Sequence, residues 1–103
     1  MEVYQIMWLT QEEILYWLKN KNIRVWRRAL YLLYTEEPLP LYSISEKLGT
    51  DPAGTERQLK KMQIDHWVVR KDHKWSITNT GERKVQNDQK YGKMPILKWG
   101  KYY

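Results

Sequence analysis

The chain reads as a mainly helical α+β fold with one small β hairpin, and three features of the sequence lead there. Helix-start signals recur along it, each followed by apolar residues at helical spacing. A single pair of strand-forming stretches, Trp67–Arg70 and Lys74–Ile77, flanks a short polar loop. The 103 residues and 12.6 kDa leave room for one domain, expected to span 1–103.

Thr10 and Glu13 form a T-x-x-E capping box, with Glu12 and Glu13 at the positive end of the dipole, so a first helix is expected over 10–19. Ile14, Leu15, Trp17 and Leu18 share its apolar face, and Lys19 and Lys21 close it with 20–22 as the turn. A second helix is expected over 22–34. Val25, Trp26, Ala29, Leu30, Leu32 and Leu33 cover about half its circumference, enough to pack on both sides, which makes it the central core helix. Arg24, Arg27 and Arg28 occupy the remainder and read as a solvated face.

Pro38 and Pro40 disfavour helix at the residues before them, leaving 39–42 as a short extended segment. Ser43-Ile44-Ser45-Glu46 is a second capping box and opens a short helix over 44–48, which Gly49 ends. Asp51 caps the next helix, with Pro52 at its first position, and this one runs to about Gln63. Thr55, Leu59 and Met62 line its inward face. Ala53, Arg57 and Lys60 lie opposite, with Gly54 and Lys61 at one flank and Glu56 at the other. The hairpin over 67–77 follows, and 78–83 opens a last short helix in which Asn79 and Glu82 have box spacing.

The segment 86–103 has no clean period. It carries Lys90, Lys93, Lys98 and Lys101 against Asp88 alone, with Tyr91, Trp99, Tyr102 and Tyr103 between them. Such a basic aromatic tail can lie on nucleic acid, pack on its own domain or form half of a dimer interface; packing or dimerisation is the favoured reading.

Composition narrows the function classes. Hydrophobic residues at 42% and charged residues at 29% are ordinary globular values and exclude disordered and fibrous classes. No uncharged apolar run approaches the roughly 18–20 residues that cross a bilayer. The N-terminal MEVYQIMWLTQEE lacks the basic start of a secretory signal. Cysteine is absent, so disulfides, thiolate zinc sites and cysteine nucleophiles are excluded together. A soluble cytoplasmic protein with no membrane partner is expected, in a host cytoplasm if the source is viral. Six Trp and eight Tyr stand beside no Phe, for which we find no physical reason. Charge is more telling. Residues 1–50 hold six basic and six acidic side chains, whereas 51–103 hold twelve and six and carry the whole net charge of +6. That asymmetry points to a polyanionic partner for the C-terminal half.

In order, a short capped helix, a Gly-containing turn and a second helix make a helix-turn-helix, and the hairpin behind them supplies a wing. Residues 42–85 resemble the core of winged helix-turn-helix transcription regulators, in the broad style of the MarR-type and PadR-type families. The likeness lies in the I-x-x-x-L-G of Ile44 to Gly49, the basic T-x-x-x-L-K-K-M helix from Thr55, the W-V-V-R strand, and Ile77 to Arg83. That last segment, I-T-N-T-G-E-R, is similar to the L-T-x-x-G-R signature that follows the wing. Together these pieces identify the superfamily and no single family. The resemblance implies a three-helix core plus wing over 22–85, an accessory N-terminal helix over 10–20 and a tail over 86–103. It also implies a homodimeric regulator of prokaryotic, archaeal or viral origin, dimerised through that helix, the tail or both.

Three positions depart from the pattern. His66 stands where many relatives have glycine, and histidine tolerates a left-handed backbone better than most residues. Gly54 weakens the start of the recognition helix by roughly 1 kcal/mol relative to alanine. Thr50 and Thr55 occupy positions that are usually apolar.

A helix about 10–12 Å across fits the major groove of B-DNA. On this reading Arg57 offers a bidentate fork to guanine O6 and N7, Ala53 and Gly54 permit close approach, and Lys60 and Lys61 reach phosphates. The hairpin tip, with Arg70, Lys71, His73 and Lys74, suits the adjacent backbone or minor groove. The alternatives are a winged helix used as a protein-interaction module and a basic helix that is merely solvated. Nothing argues for catalysis. His66 reads as a turn residue and His73 as a wing residue, with no third ligand at metal spacing. Ser43 and Ser45 are explained as capping residues. No G-x-x-x-x-G-K-[ST] or G-x-G-x-x-G implies a nucleotide. A non-enzyme without cofactor or metal, binding double-stranded DNA, is the expectation.

Overall fold

The computed structural model describes residues 5–98. The first helix, α1 (Gln11–Leu18), begins where its capping box dictates: the Glu13 N–H donates to Thr10 Oγ1 at 3.2 Å and the Thr10 N–H donates to Glu13 Oε1 at 2.8 Å. Hydrogen bonds from Thr10, its backbone N–H first and its hydroxyl second, hold the Glu13 carboxyl below its ordinary value. Ile14, Trp17 and Leu18 turn inward as expected, but Leu15 is 58% exposed. A helix resting on one neighbour buries the line 14, 17 and 18 and leaves position 15 at the edge.

The central helix, α2 (Val25–Thr35), starts later than its apolar pattern suggested. Asn20 Oδ1 accepts from the Asn22 N–H at 2.9 Å and Asn20 O accepts from the Ile23 N–H, which fixes 20–23 as a turn. Residues 28–33 of α2 are all buried. That includes Arg28, which is 2% exposed and not part of a solvated face. Its Nε donates to Ile23 O at 3.0 Å, and its Nη1 donates to Leu18 O at 2.9 Å and Leu48 O at 3.1 Å. One guanidinium thus satisfies carbonyls left open at the C-terminal ends of two helices. Tyr31 packs edge-on against Trp17 at 5.2 Å between ring centroids.

Burial, with Tyr34 beside it, pushes the Tyr31 hydroxyl up to about 12 from an ordinary 10.0. The stability this group contributes is therefore full below pH 10.0 and is lost as pH rises through about 12. In an alkaline series of thermal melts the midpoint should fall across that window, and Tyr31→Phe should flatten this part of the fall.

The strand β2 (Leu39–Pro40) leads directly into α3 (Leu41–Leu48). The box at Ser43 is not used: Pro40 is the N-cap, and Ser45 Oγ donates to Tyr42 O at 3.2 Å. In the sheet Leu39 and Pro40 pair with Trp75 and Lys74, and the extended segment ends with that pairing, two residues sooner than expected. Gly49 closes α3 in the left-handed region, φ 66°. In α4 (Pro52–Ile64), Asp51 Oδ2 accepts from the Gly54 N–H at 2.9 Å, the expected cap. Thr55 is buried without penalty because its Oγ1 donates to Asp51 O at 2.8 Å and lies 2.6 Å from Thr50 Oγ1. His66 takes φ 65°, the left-handed turn expected of it.

The strands β3 (Val68–Lys71) and β4 (Lys74–Ile77) form the antiparallel hairpin, and β2 joins its β4 edge to give the order β2-β4-β3. Asp72 and His73 both adopt positive φ, 53° and 64°, the backbone of a two-residue hairpin turn. The last helix, α5 (Asn79–Lys90), is capped by Thr78, whose Oγ1 accepts from the Gly81 N–H at 3.0 Å, and not by Asn79. It is longer than expected because Val85 and Asp88 are buried along it.

Beyond α5, Met94 and Pro95 are buried and β5 (Ile96–Leu97) pairs in parallel with β1 (Trp8–Leu9). Through Lys98 the tail therefore packs on its own chain; Trp99, Lys101, Tyr102 and Tyr103 lie outside the described residues. Among the described residues the fold is α+β: five helices, a three-stranded antiparallel sheet and a two-stranded parallel pair. One core cluster runs from Ile14 to Met94, with Leu30, Ile44, Leu59 and Trp75 at its centre. No helix among those residues is long and apolar enough to cross a membrane.

Candidate functional site

Helices α3 and α4 meet through residues 49–51, and the buried line Thr55, Leu59 and Met62 holds α4 against the core. That anchoring fixes which side of α4 faces water. Ala53, Arg57, Lys60 and Lys61 are all exposed, and Gly54 is half-buried beside them. Long helical side chains lean toward the N-terminus. Arg57 does so: its Nη2 lies 3.6 Å from where a Cβ at position 54 would stand. Arg57, Lys60 and Lys61 take part in no ion pair among the described residues.

The hairpin divides its basic residues between two faces, because side chains alternate along a strand. Arg70 pairs with Trp75, and its guanidinium carbon lies 5.9 Å from that ring's centroid, on the side of the sheet facing the core. Lys71 pairs with Lys74 on the opposite side. Like charges directly across from one another repel. Neither lysine has an ion-pair partner among the described residues, so an anion between them would relieve the repulsion. His73 is exposed in the turn itself. The predicted residues thus form an α4 face, a lysine pair at the hairpin tip, and an exposed arginine on the opposite face of the hairpin.

The cations of α2 and α5 are used differently. Asp88 is 1% exposed and receives Arg27 Nε at 3.3 Å and Lys84 Nζ at 3.2 Å. Arg27 also lies 4.7 Å from the Trp26 ring, and Lys84 lies 5.5 Å from Trp26 and 5.6 Å from Trp67. Trp26 and Trp67 are themselves 5.3 Å apart. This cluster fastens α5 to α2, and sequence reasoning missed it. The spacing of Lys84 and Asp88, four residues apart on one helix, was the available signal. No group of three or more His, Cys, Asp or Glu side chains able to hold a metal converges among the described residues.

Compared with known proteins, the sequence matches no family profile and no curated protein. In three dimensions the chain is similar to the crystal structure of RV1404 from Mycobacterium tuberculosis, with a TM-score of 0.58 and 18% sequence identity. The likeness covers 76% of this chain and 59% of that one, so this chain spans less than two thirds of its neighbour's length. At that identity the similarity is one of fold.

Proposed function

We propose that this chain is a winged helix-turn-helix protein that binds double-stranded DNA sequence-specifically, as a small transcription regulator. In this reading α3 and α4 are the helix-turn-helix, α4 enters the major groove, and the β3–β4 hairpin is the wing on the neighbouring backbone. The observation that carries it is the contrast in how cations are used. Arg27, Arg28 and Lys84 are tied to the protein's own acceptors, while Arg57, Lys60, Lys61, Lys71 and Lys74 are exposed on α4 and at the hairpin tip, with no ion-pair partner among the described residues. Arg57 is the base reader; Lys60, Lys61 and the Lys71–Lys74 pair hold phosphates. Trp8, Leu15 and Tyr16, at 56%, 58% and 73% exposure, favour a second copy of the chain meeting α1 and β1. A protein-interaction module is the competing reading, favoured by the exposed Tyr42 and Ile64.

Fluorescence anisotropy with a mixed-sequence duplex at about 50 and 200 mM salt separates the two readings. DNA binding should weaken steeply with salt, with a log–log slope of about −0.9 per phosphate neutralised. Lys61→Ala should weaken all duplexes alike and reduce that slope by about one. Arg57→Ala should cost about 1–3 kcal/mol on a selected site and relax preference at one base pair. Flat anisotropy at both salts from folded protein would overturn the reading.

A further inference from the structure

We infer that Gly54 sets how closely α4 seats against DNA, and that this seating positions Arg57 on its base pair; the inference rests on the DNA-binding reading above. The other glycines among the described residues answer to the protein's own geometry. Gly49 and Gly92 take φ +66° and +71°, and a Cβ at Gly81 would stand 2.2 Å from the Trp67 carbonyl oxygen. Gly54 has no such requirement. It lies in the right-handed first turn of α4, where the nearest atoms to an added Cβ are Arg57 Nη2 and Asp51 Oδ2, both at 3.6 Å. That is ordinary contact, so the fold accepts alanine here. Alanine at a compatible helical position stabilises by restricting the unfolded chain. Glycine is thus the less stable choice for the free protein, and what it supplies is a bare strip of backbone.

Two neighbours say what that strip meets. The Arg57 guanidinium lies over it, so the bidentate donor and the bare backbone form one patch. The Asp51 carboxylate already accepts from the Gly54 N–H and places negative charge at the helix end. A phosphate is therefore disfavoured at this point, and the edge of a base, guanine for the Arg57 fork, is the matching partner. A methyl group at 54 would hold the helix off the groove floor and draw the fork out of bidentate reach.

The test begins with the duplex that wild-type protein selects from a randomised pool. Affinities for it, and for versions changed at each position, are then measured for wild type, Gly54→Ala, Arg57→Ala and the double variant, together with melting temperatures. Gly54→Ala should melt higher than wild type yet bind the selected duplex at least about tenfold more weakly. It should lose discrimination at the same base pair as Arg57→Ala, and the double variant should bind no more weakly than Arg57→Ala alone. Wild-type affinity and preference in Gly54→Ala, or a loss at a different base pair, would overturn the inference while leaving DNA binding intact. A wild type that selects no duplex would overturn both, before any variant is made.

Discussion

Replacing Gly81 with alanine should destabilise the fold by about 3 kcal/mol, at the upper end of what forced overpacking does. The added Cβ would stand 2.2 Å from Trp67 O and 2.7 Å from Ile77 Cγ1. The first of these is backbone, so no rotamer change relieves it. The Trp67 carbonyl is also held in place, since it accepts from the Thr78 N–H at 2.9 Å. Thr78 Oγ1 meanwhile accepts from the Gly81 N–H and donates to His66 O. The start of α5 and the left-handed turn after α4 are therefore locked together at a point with no spare volume. Small domains have only about 5–15 kcal/mol in total, so urea denaturation followed by circular dichroism should show a much lower midpoint. A midpoint equal to that of wild type would refute the packing argument. The same substitution at Gly54 carries the opposite sign for stability, which makes the two variants a matched pair.

Arg28→Met should lower stability by about 1–3 kcal/mol, as leaving buried carbonyls without their donor does. Methionine replaces the apolar stem but leaves Leu18 O, Ile23 O and Leu48 O without their donor. Two of those carbonyls belong to the last residues of α1 and α3, so the loss loosens both helix ends where they converge on α2. Arg28→Lys should recover less than half of the loss, since a single ammonium cannot reproduce the fork that reaches three acceptors. Burial lowers the Arg28 pKa by desolvation. Equal urea midpoints for Arg28→Met and wild type would show that water replaces the guanidinium without penalty.

The parts of this fold that were legible in the sequence are those fixed by neighbours a few residues apart. The Thr10–Glu13 box, the Asp51 cap, the left-handed His66 and the outward face of α4 all follow from local geometry. What escaped was set at a distance. Periodicity marks Arg28 as polar but does not reveal that two helix ends point carbonyls at it. The Ser43 box was locally sound, yet α3 starts earlier, directly after the strand in which Leu39 pairs with Trp75. The length of α5 depends on a carboxylate, Asp88, that meets its arginine 61 positions away. At the candidate site the α4 residues were readable because a helix maps sequence directly onto faces. The hairpin residues were readable only as a group. Separating Arg70 from Lys71 and Lys74 required the strand register, which composition does not supply.

The pairing of β1 with β5 has a mechanical side. The two strands run in the same direction, joined where Met7 O accepts from the Ile96 N–H and Leu9 O accepts from the Lys98 N–H. A pull applied on the N-terminal side of Trp8 and the C-terminal side of Leu97 draws them past one another lengthwise. Both bonds then carry load together and are not peeled one after the other. Tension on the chain is met first by this short clasp, and α1 and α5 feel it only after the clasp has sheared.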